Sequence, residues 1–335
     1  MKKENLSRRS FLKGGATAVG AIAAAGVLLK AEPVLAAVQG NNNAASASGK
    51  AKVFFTKDLS AESLEKMYRL VSGQLTGKVA VKLHTGEPEG PNLIPRDWVK
   101  ALMPRVPNPT IVETNVLYES PRLTTEGHRY TLKVNGWDFC PVDILDEHGD
   151  ADLPISGGKH MQHLEVGKNL LNYDSMLVLT HFKGHPMGGF GGSLKNVAVG
   201  CASGRGGKQQ IHLRFQDGVD WPGGRDFMER MVEAGKAVTD HFGPKIVYIN
   251  VMRNMSVDCD CMGLKAAPVV TPDLGIMAST DILAIDQACV DMVYALPEAQ
   301  KKDLVERIES RGGLRQLTYM RELGMGAREY ELVTV

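Results

Sequence analysis

The sequence predicts an α/β fold in which helices cover both faces of a mainly parallel sheet. Short apolar runs rich in β-branched residues alternate along the chain with amphipathic segments of helical period. The run Met176–Leu179 is apolar throughout, and Ile246–Val251 is nearly so, as is typical of strands buried on both faces. The chain from residue 51 to residue 335 is long enough for one large domain or two packed lobes.

Each element is predicted from a local pattern. Strands are expected at Val53–Thr56, Val79–Leu83, Thr110–Glu113, Val142–Leu145, Met176–Leu179 and Ile246–Val251. A first helix is expected to begin after Ser60, a good capping residue, and to end before Gly73. Further helices are expected at Trp98–Met103, Leu123–Val134, Asp226–Phe242 and Asp281–Tyr294, the last capped by Asp281.

The longest irregular stretches of the chain are predicted at residues 84–92, 180–214 and 254–273, each after a strand. In α/β proteins, ligands bind at the carboxyl ends of the strands. Long loops in compact domains are also usually functional. We therefore expect the functional site to be built from these three stretches.

The N-terminus has the features of a twin-arginine export signal. Arg8 and Arg9 precede an Ala/Gly-rich run of 16 residues, and small residues around Ala36 suit a signal peptidase. The run is short of the about 20 apolar residues that a membrane span needs, and no cysteine follows it for a lipid anchor. We predict a signal peptide at residues 1–36, a flexible linker at 37–50 and the folded α/β domain at 51–335.

This signal predicts where the protein works and what it carries. The twin-arginine translocase would be its partner during export, and the mature chain would be periplasmic or extracytoplasmic, without a stable membrane anchor. Because this route characteristically carries proteins that fold in the cytoplasm, often with a cofactor inserted, a metal or cofactor is expected. Removal of residues 1–36 leaves 33 basic and 36 acidic residues, a formal charge of −3. That balance offers no basic surface for nucleic acid.

A disulfide framework is not expected, because five cysteines cannot pair completely and Cys259 and Cys261 are too close in sequence to bridge each other easily. Cys259 and Cys261 lie in an Asp-Cys-Asp-Cys segment after a predicted buried strand. Two thiolates at this spacing can reach one soft metal or the edge of an iron–sulfur cluster. The spacing differs from the Cys-x2-Cys of structural zinc sites, and buried, unreactive thiols are the alternative interpretation.

The densest group of chemically capable residues lies in the stretch 180–214. It contains His181, His185 and His212, a Gly-Phe-Gly-Gly segment, Lys195 and Cys201. Imidazoles can ligate metals or transfer protons, and glycines let the backbone approach a ligand closely. The segment is neither a Walker phosphate loop nor a dinucleotide fingerprint, because it lacks both the Gly-Lys-Ser/Thr triplet and the third glycine. A glycine-rich turn with surface histidines is the alternative.

On these motifs the chain resembles the bacterial and archaeal "domain of unknown function 362" (DUF362) family. The motifs are the segments 181–185, 189–196, 200–203, 258–261 and 279–288. Many relatives carry a ferredoxin-like module with Cys-x2-Cys-x2-Cys runs, and this chain has none. The resemblance therefore implies that any electron-transfer partner is a separate protein.

The same region also resembles, more distantly, the nickel-pincer lactate racemases. His185, the Gly189–Gly192 stretch, Lys195 and His212 follow the order seen in that family. The resemblance implies that His185 is an acid/base, that Lys195 holds the pincer cofactor and that His212 ligates nickel. Where the racemases have Thr-Arg-Pro to grip the substrate carboxylate, this chain has Thr-Gly-Glu-Pro at 85–88, so the resemblance does not extend to lactate as substrate.

Two functions are consistent with the sequence. The first is an exported metal- or cofactor-dependent enzyme with redox or isomerase chemistry on a small polar substrate, and the second is a non-catalytic metal- or iron–sulfur-binding accessory protein of an exported redox complex. The expected metal is iron, an iron–sulfur cluster or nickel. The predicted catalytic residues are His84, His185 and Lys195. The predicted cofactor-binding residues are Gly189, Gly191, Gly192, Lys195 and Asn196. The predicted metal ligands are His181, His185, Cys201, His212, Cys259 and Cys261.

Overall fold

An eight-stranded sheet runs through residues 50–335, the part of the chain that this computed structural model describes. The predicted signal peptide and all but the last residue of the predicted linker lie outside the described residues. The strands are β1 (Ala51–Thr56), β2 (Val79–Lys82), β3 (Pro109–Glu113), β4 (Val142–Ile144), β5 (Asp150–Pro154), β6 (His163–Gly167), β7 (Ser175–His181), β8 (Lys183–His185), β9 (Gly189–Gly191), β10 (Ile246–Met252), β11 (Gly275–Ser279) and β12 (Tyr330–Thr334).

The strand order across the large sheet is β12-β1-β11-β10-β7-β2-β3-β4. Five of its seven neighbouring pairs are parallel, and only β11 runs antiparallel to both of its neighbours. β5 with β6 and β8 with β9 form two separate antiparallel hairpins. The prediction of a mainly parallel α/β sheet is confirmed.

The helices are α1 (Ala61–Val71), α2 (Arg96–Leu102), α3 (Thr125–Val134), α4 (Ser193–Cys201), α5 (Gly206–His212), α6 (Gly224–Phe242), α7 (Ile282–Tyr294), α8 (Glu298–Ser310) and α9 (Arg315–Glu322). Ser60 and Asp281 cap α1 and α7 as the sequence predicts, because their side chains accept hydrogen bonds from the backbone of Ser63 and Ala284. Within residues 50–335, every helix is too short or too polar to cross a bilayer.

Two apolar cores lie on opposite faces of the sheet. Alternation along the strands directs Val79 and Val81 to the face covered by α1, α2 and α3. The residues between them, such as Ala80, belong to a larger core on the other face, which includes Leu194 of α4 and Val238 of α6. The sheet is therefore buried on both sides, which explains why its central strands read as nearly continuous apolar runs.

The prediction of an irregular stretch at 180–214 is wrong for most of its length. It contains the end of β7, the β8–β9 hairpin, α4 and α5. The sequence did not predict α4 for two reasons. The glycines that precede it are typical of a loop, and the carboxylate that caps it is remote in sequence. The amides of Ser193 and Leu194 donate to the carboxylate of Asp286, more than ninety residues away. The other two stretches, 84–92 and 254–273, have no strand and only one short 3-10 helix, Asp260–Lys265.

The carboxyl ends of four neighbouring parallel strands meet at one edge of the sheet. Lys82 ends β2, Glu113 ends β3 and His181 ends β7. The register places Lys82 opposite Val112 and Val178, so these strand ends lie side by side. The segments that follow β2, β7 and β10 are the three stretches that the sequence predicts as functional, and they converge here.

Candidate functional site

A cavity of about 500 Å³ opens at this carboxyl edge of the sheet. Its wall is formed by the ends of β2, β3 and β7, the β8–β9 hairpin, α4, α5 and the loop after β10. Its size lies within the range of small-molecule sites. Among the predicted residues, those that line it are His84, His181, His185, Gly191, Gly192, Lys195, Asn196, His212, Cys259 and Cys261.

The hairpin and α4 place His185 and Lys195 at the cavity. The hairpin pairs His185 with Gly189, which has a positive φ of 77° and packs so closely on Gly313 that a side chain there would collide with it. Gly192 leads directly into α4, and a Cβ on it would lie 2.5 Å from the carboxylate of Asp286. The glycines at 189 and 192 are therefore required by the approach of protein groups.

His185, Cys259 and Cys261 form the one group of potential metal ligands found among the described residues. One ligand atom from each lies within 4.8 Å of the other two. The Nζ atom of Lys195 lies 4.0 Å from the Cys259 sulfur, and the backbone amide of Cys261 donates to the same sulfur over 3.5 Å. Two thiols and an imidazole at this separation suit a soft or borderline metal ion.

The two thiols of this group differ in their readiness to ionise. A hydrogen bond from Cys261 lowers the pKa of Cys259 well below its usual value, and Lys195 and His185 act in the same direction. The same interaction raises the pKa of Cys261, since its proton is held by the neighbouring sulfur. Cys259 is therefore the thiolate of the pair and the stronger ligand or nucleophile.

Backbone contacts determine which ring nitrogen of His185 is available. Nδ1 accepts hydrogen bonds from the amides of Met187 at 3.2 Å and Gly188 at 2.8 Å. A neutral ring that accepts at Nδ1 carries its proton on Nε2. Burial and the charge of Lys195 lower the pKa of His185 to about 4, so the ring is neutral at pH 7. His185 is thus a hydrogen-bond donor through Nε2, and it must lose that proton to ligate a metal through the same atom.

Three other predicted site residues have structural contacts instead. Both ring nitrogens of His181 are engaged, Nδ1 with Asp260 at 2.9 Å and Nε2 with the carbonyl of Arg253 at 2.7 Å. The amide of Asn196 donates to main-chain and hydroxyl oxygens of β2 and β7 and ties α4 to the sheet. Cys201 ends α4 in the apolar core, fully buried and away from the cavity wall, because its face of the helix packs inward.

Sequence reasoning missed a buried charge cluster around Glu113. Its carboxylate accepts from Lys82 at 2.8 Å, from Arg122 at 3.1 Å and from the amide and hydroxyl of Thr85. Arg122 also contacts Glu87 at 3.1 Å. Burial favours the neutral carboxyl, but Lys82 and Arg122 outweigh it and hold the pKa of Glu113 well below its usual range. The signal in the sequence was a charged residue at the end of an apolar strand, in both β2 and β3.

The lactate racemase apoprotein from Thermoanaerobacterium thermosaccharolyticum matches 72% of this chain and 56% of its own length, at 11% identity and a TM-score of 0.41. A protein from Thermotoga maritima matches 76% of this chain and 60% of its own length, at 11% identity and a TM-score of 0.40. This chain thus spans less than two thirds of either protein. No curated protein matches.

The DUF362 family model, described as a domain of unknown function, matches residues 79–291. The match spans most of the sheet and includes every motif on which the sequence resembles that family, from His181 at the end of β7 to Asp286 on α7. The chain is a member of the DUF362 family.

Proposed function

We propose that this chain is a metal-dependent enzyme that performs redox or isomerase-type chemistry on a small polar molecule. The observation that carries the proposal is the group of His185, Cys259 and Cys261 on the wall of a cavity of about 500 Å³. Structural metal sites use four protein ligands, whereas catalytic sites use three and leave a position for water or substrate. Three ligands beside a cavity favour the catalytic arrangement.

The donor set favours a single ion such as iron or nickel over an iron–sulfur cluster. A cluster is usually held by four cysteines. In the described part of the chain, the cavity is lined by two, Cys259 and Cys261. When bound, the ion would supply Lewis-acid or one-electron chemistry at the cavity wall. The nickel-pincer alternative needs an amine and an imidazole at one site, and Lys195 and His212 both line this cavity.

The protein groups around the ligands have separable roles in this proposal. Cys259 is the primary ligand because Lys195 and Cys261 already favour its thiolate. His185 carries its ring proton at Nε2 and donates a hydrogen bond to the Cys259 thiolate, so its part before an ion binds is to stabilise that thiolate. The walls of the cavity, with Trp221 and Met262 among them, limit the access of water to these atoms.

Metal analysis of the protein, purified from the organism that naturally exports it, tests this proposal. We expect Cys259→Ser and Cys261→Ser to lower bound metal together, by about tenfold or more. His185→Ala should lower it less, because its Nε2 must first lose a proton. Cys140→Ser, at a half-buried thiol outside the cavity, is the matched control. Unchanged metal content in both cysteine variants would overturn the proposal.

The accessory-protein alternative predicts a different outcome from the same material. Stoichiometric metal together with turnover of a small molecule supports the enzyme. Stoichiometric metal without turnover, with a redox protein that co-purifies, supports the non-catalytic function. The cavity favours the enzyme, because a protein that only stores or relays a metal ion has no need of space for a small molecule beside it.

We further propose that the chain is exported by the twin-arginine pathway and works outside the cytoplasm. The support is the Arg8-Arg9 pair with the Ala/Gly run that follows it. Replacement of both arginines by lysine should leave uncleaved precursor in the cytoplasm, as detected by cell fractionation and immunoblotting. Intact-mass measurement of the exported wild type should give Ala37, or a neighbour, as the first residue. Normal export of the double variant would contradict the assignment.

A further inference from the structure

The cations that line the cavity outnumber the carboxylates that contact them. Within residues 50–335, the cationic side chains on its wall are Lys82, Arg122, Lys183, Lys195 and Lys208. Their carboxylate partners are Glu87, Glu113 and Asp260. Lys195 and Lys208 have no carboxylate among their ion-pair or hydrogen-bond partners in that part of the chain. The Cys259 thiolate lies beside Lys195, so the excess positive charge of the cavity rests on Lys208, whose hydrogen-bond partners in that part of the chain are neutral.

Lys208 shows this excess most clearly. It lies on α5 and is 5% exposed. Its Nζ atom donates to the hydroxyl of Thr114 and, over 2.8 Å, to the carbonyl of Ala202, both of which are neutral. An ammonium group buried without a countercharge is costly. That burial lowers the pKa of Lys208 to about 7, and the third N–H of its ammonium form has no partner among the described residues.

Two imidazole nitrogens at the same cavity also lack partners. Nδ1 of His212 and Nε2 of His84 are buried and make no hydrogen bond among the described residues. His212 is 7% exposed and its ring is fixed, stacked on Phe227 with a centroid distance of 5.0 Å and edge-on to Trp221 at 5.1 Å. Buried polar groups are nearly always satisfied. An immobilised ring with an open nitrogen is therefore the mark of a binding site.

We propose that this cavity binds a small oxyanion, a carboxylate or a phosphate, whose charge is neutralised by Lys208 and which contacts His212. The apolar side chains of Val116, Leu117 and Trp221 line the same cavity, so the anionic group would be carried on an apolar body. His212 interacts electrostatically with Lys208 and also with Lys195 and His185. The three proposed metal ligands line the same cavity as Lys208 and His212, so a ligand held by these two residues shares that cavity with them.

The inference rests on the proposed function only in taking this anion as the substrate of the same site. Anion binding itself needs no metal, since Lys208 and His212 are outside the group of His185, Cys259 and Cys261. The two proposals can therefore fail separately. Binding without metal would leave the anion site intact, and metal without anion binding would leave the metal site intact.

Calorimetric titration of the metal-free protein tests the anion site. The probes are benzoate and phenyl phosphate, with benzamide as a neutral molecule of similar shape, at about pH 6, where Lys208 is charged. We expect at least one anion to bind at millimolar concentration or below and benzamide to bind at least about tenfold more weakly. The anion that binds more tightly identifies the head group as carboxylate or phosphate. Equal affinity for benzamide, or no binding of either anion, would overturn the inference.

Lys208→Met supplies the second arm of the test. We expect at least about tenfold weaker anion binding and unchanged metal content. Lys133→Met, at an exposed lysine on α3, should leave both unchanged. Full anion affinity in Lys208→Met would contradict the assignment of the countercharge. If this variant does not fold, the comparison of benzoate with benzamide on the wild type still decides the proposal, because it needs no substitution.

Discussion

Two groups of buried cations line one cavity, and they differ in their countercharges. Lys82 and Arg122 share the carboxylate of Glu113, and Arg122 also pairs with Glu87. Lys208 has only neutral hydrogen-bond partners, whereas the half-buried Lys195 lies beside the Cys259 thiolate. The first group is electrically complete within the protein. Lys208 is balanced only when something else supplies negative charge.

This difference separates architecture from function. The paired cluster joins the carboxyl ends of β2 and β3 to the segment before α3, and removal of one partner would leave a charge buried without compensation. The unpaired Lys208 costs the folded protein stability, a cost that is offset only when a ligand binds. A buried cation without a carboxylate is therefore a better indicator of a site than a buried cation with one.

The largest expected effect is at the paired cluster. Glu113→Gln should lower the free energy of unfolding by about 3–5 kcal/mol, because Lys82 and Arg122 lose their shared countercharge while they stay buried. Urea denaturation at pH 7 measures it. Glu306→Gln, at an exposed position on α8, is the control and should change stability little. A loss as small as that of the control would mean that the cluster is not structural.

An intermediate effect on stability is expected at Asp286, whose carboxylate caps α4, the helix that carries Lys195. Asp286→Ala removes the acceptor for Ser193, Leu194 and Asn250, and it should cost about 1–3 kcal/mol. Burial raises the pKa of Asp286 to about 6, so the folded state binds a proton more readily than the unfolded state does. The wild type therefore loses stability relative to the variant as the pH rises from about 4 to about 6.

Urea denaturation at pH 5 and pH 8 tests this prediction. The difference between wild type and Asp286→Ala should be larger at the lower pH, where the wild-type carboxyl is protonated in the folded state. Asp303→Ala, at an exposed position on α8, should show no such pH dependence. A constant difference across this range would contradict the raised pKa of Asp286.

The smallest effect on stability is expected at the unpaired cation. Lys208→Met should change the free energy of unfolding by less than about 1 kcal/mol near pH 7, because the loss of two hydrogen bonds is offset by the removal of a buried charge. The charges that act on Lys208 are Asp146 and Glu113, which favour its protonation, and Arg122 and Lys82, which oppose it. A loss comparable to that of Glu113→Gln would remove the distinction between the two groups.

The pH dependence of this variant gives a further check. The pKa of Lys208 is about 7 in the folded protein and near 10.5 when the chain is unfolded. Between these values the unfolded state binds more protons, so the stability of the wild type rises with pH. The wild type should therefore gain stability relative to Lys208→Met between about pH 7 and pH 10. Urea midpoints for both proteins across this range measure the gain. A constant difference in stability between the two proteins would contradict the lowered pKa of Lys208.

Much of the sheet could be predicted from local patterns. The strands at Val79–Lys82, Ser175–His181 and Ile246–Met252 were found because burial on both faces leaves a compact apolar run in the sequence. β11 and β12 were not predicted. β11 lies inside a stretch of small and apolar residues next to Asp273, and β12 is mostly exposed at the sheet edge, so neither shows clear alternation or a clear apolar run.

The candidate site could be predicted in part, for a different reason. Because the carboxyl ends of parallel strands meet at one edge, His185 and the two cysteines were expected near one another although more than seventy residues separate them. Sequence reasoning could not distinguish them from His181 and Cys201. Two tertiary contacts make the distinction. Asp260 hydrogen-bonds to the ring of His181, and the packing of α4 places Cys201 in the apolar core.

By itself, the sequence determined the class of the fold, the edge of the sheet where the site lies and the residue types available there. These follow from the periodicity of apolar residues and from the positions of the loops, which are local properties. Only the tertiary structure decided which of those residues have partners. Whether Lys208 meets a carboxylate, or Nδ1 of His212 a donor, depends on groups that are remote in the chain, and that determines which residues are left for a ligand.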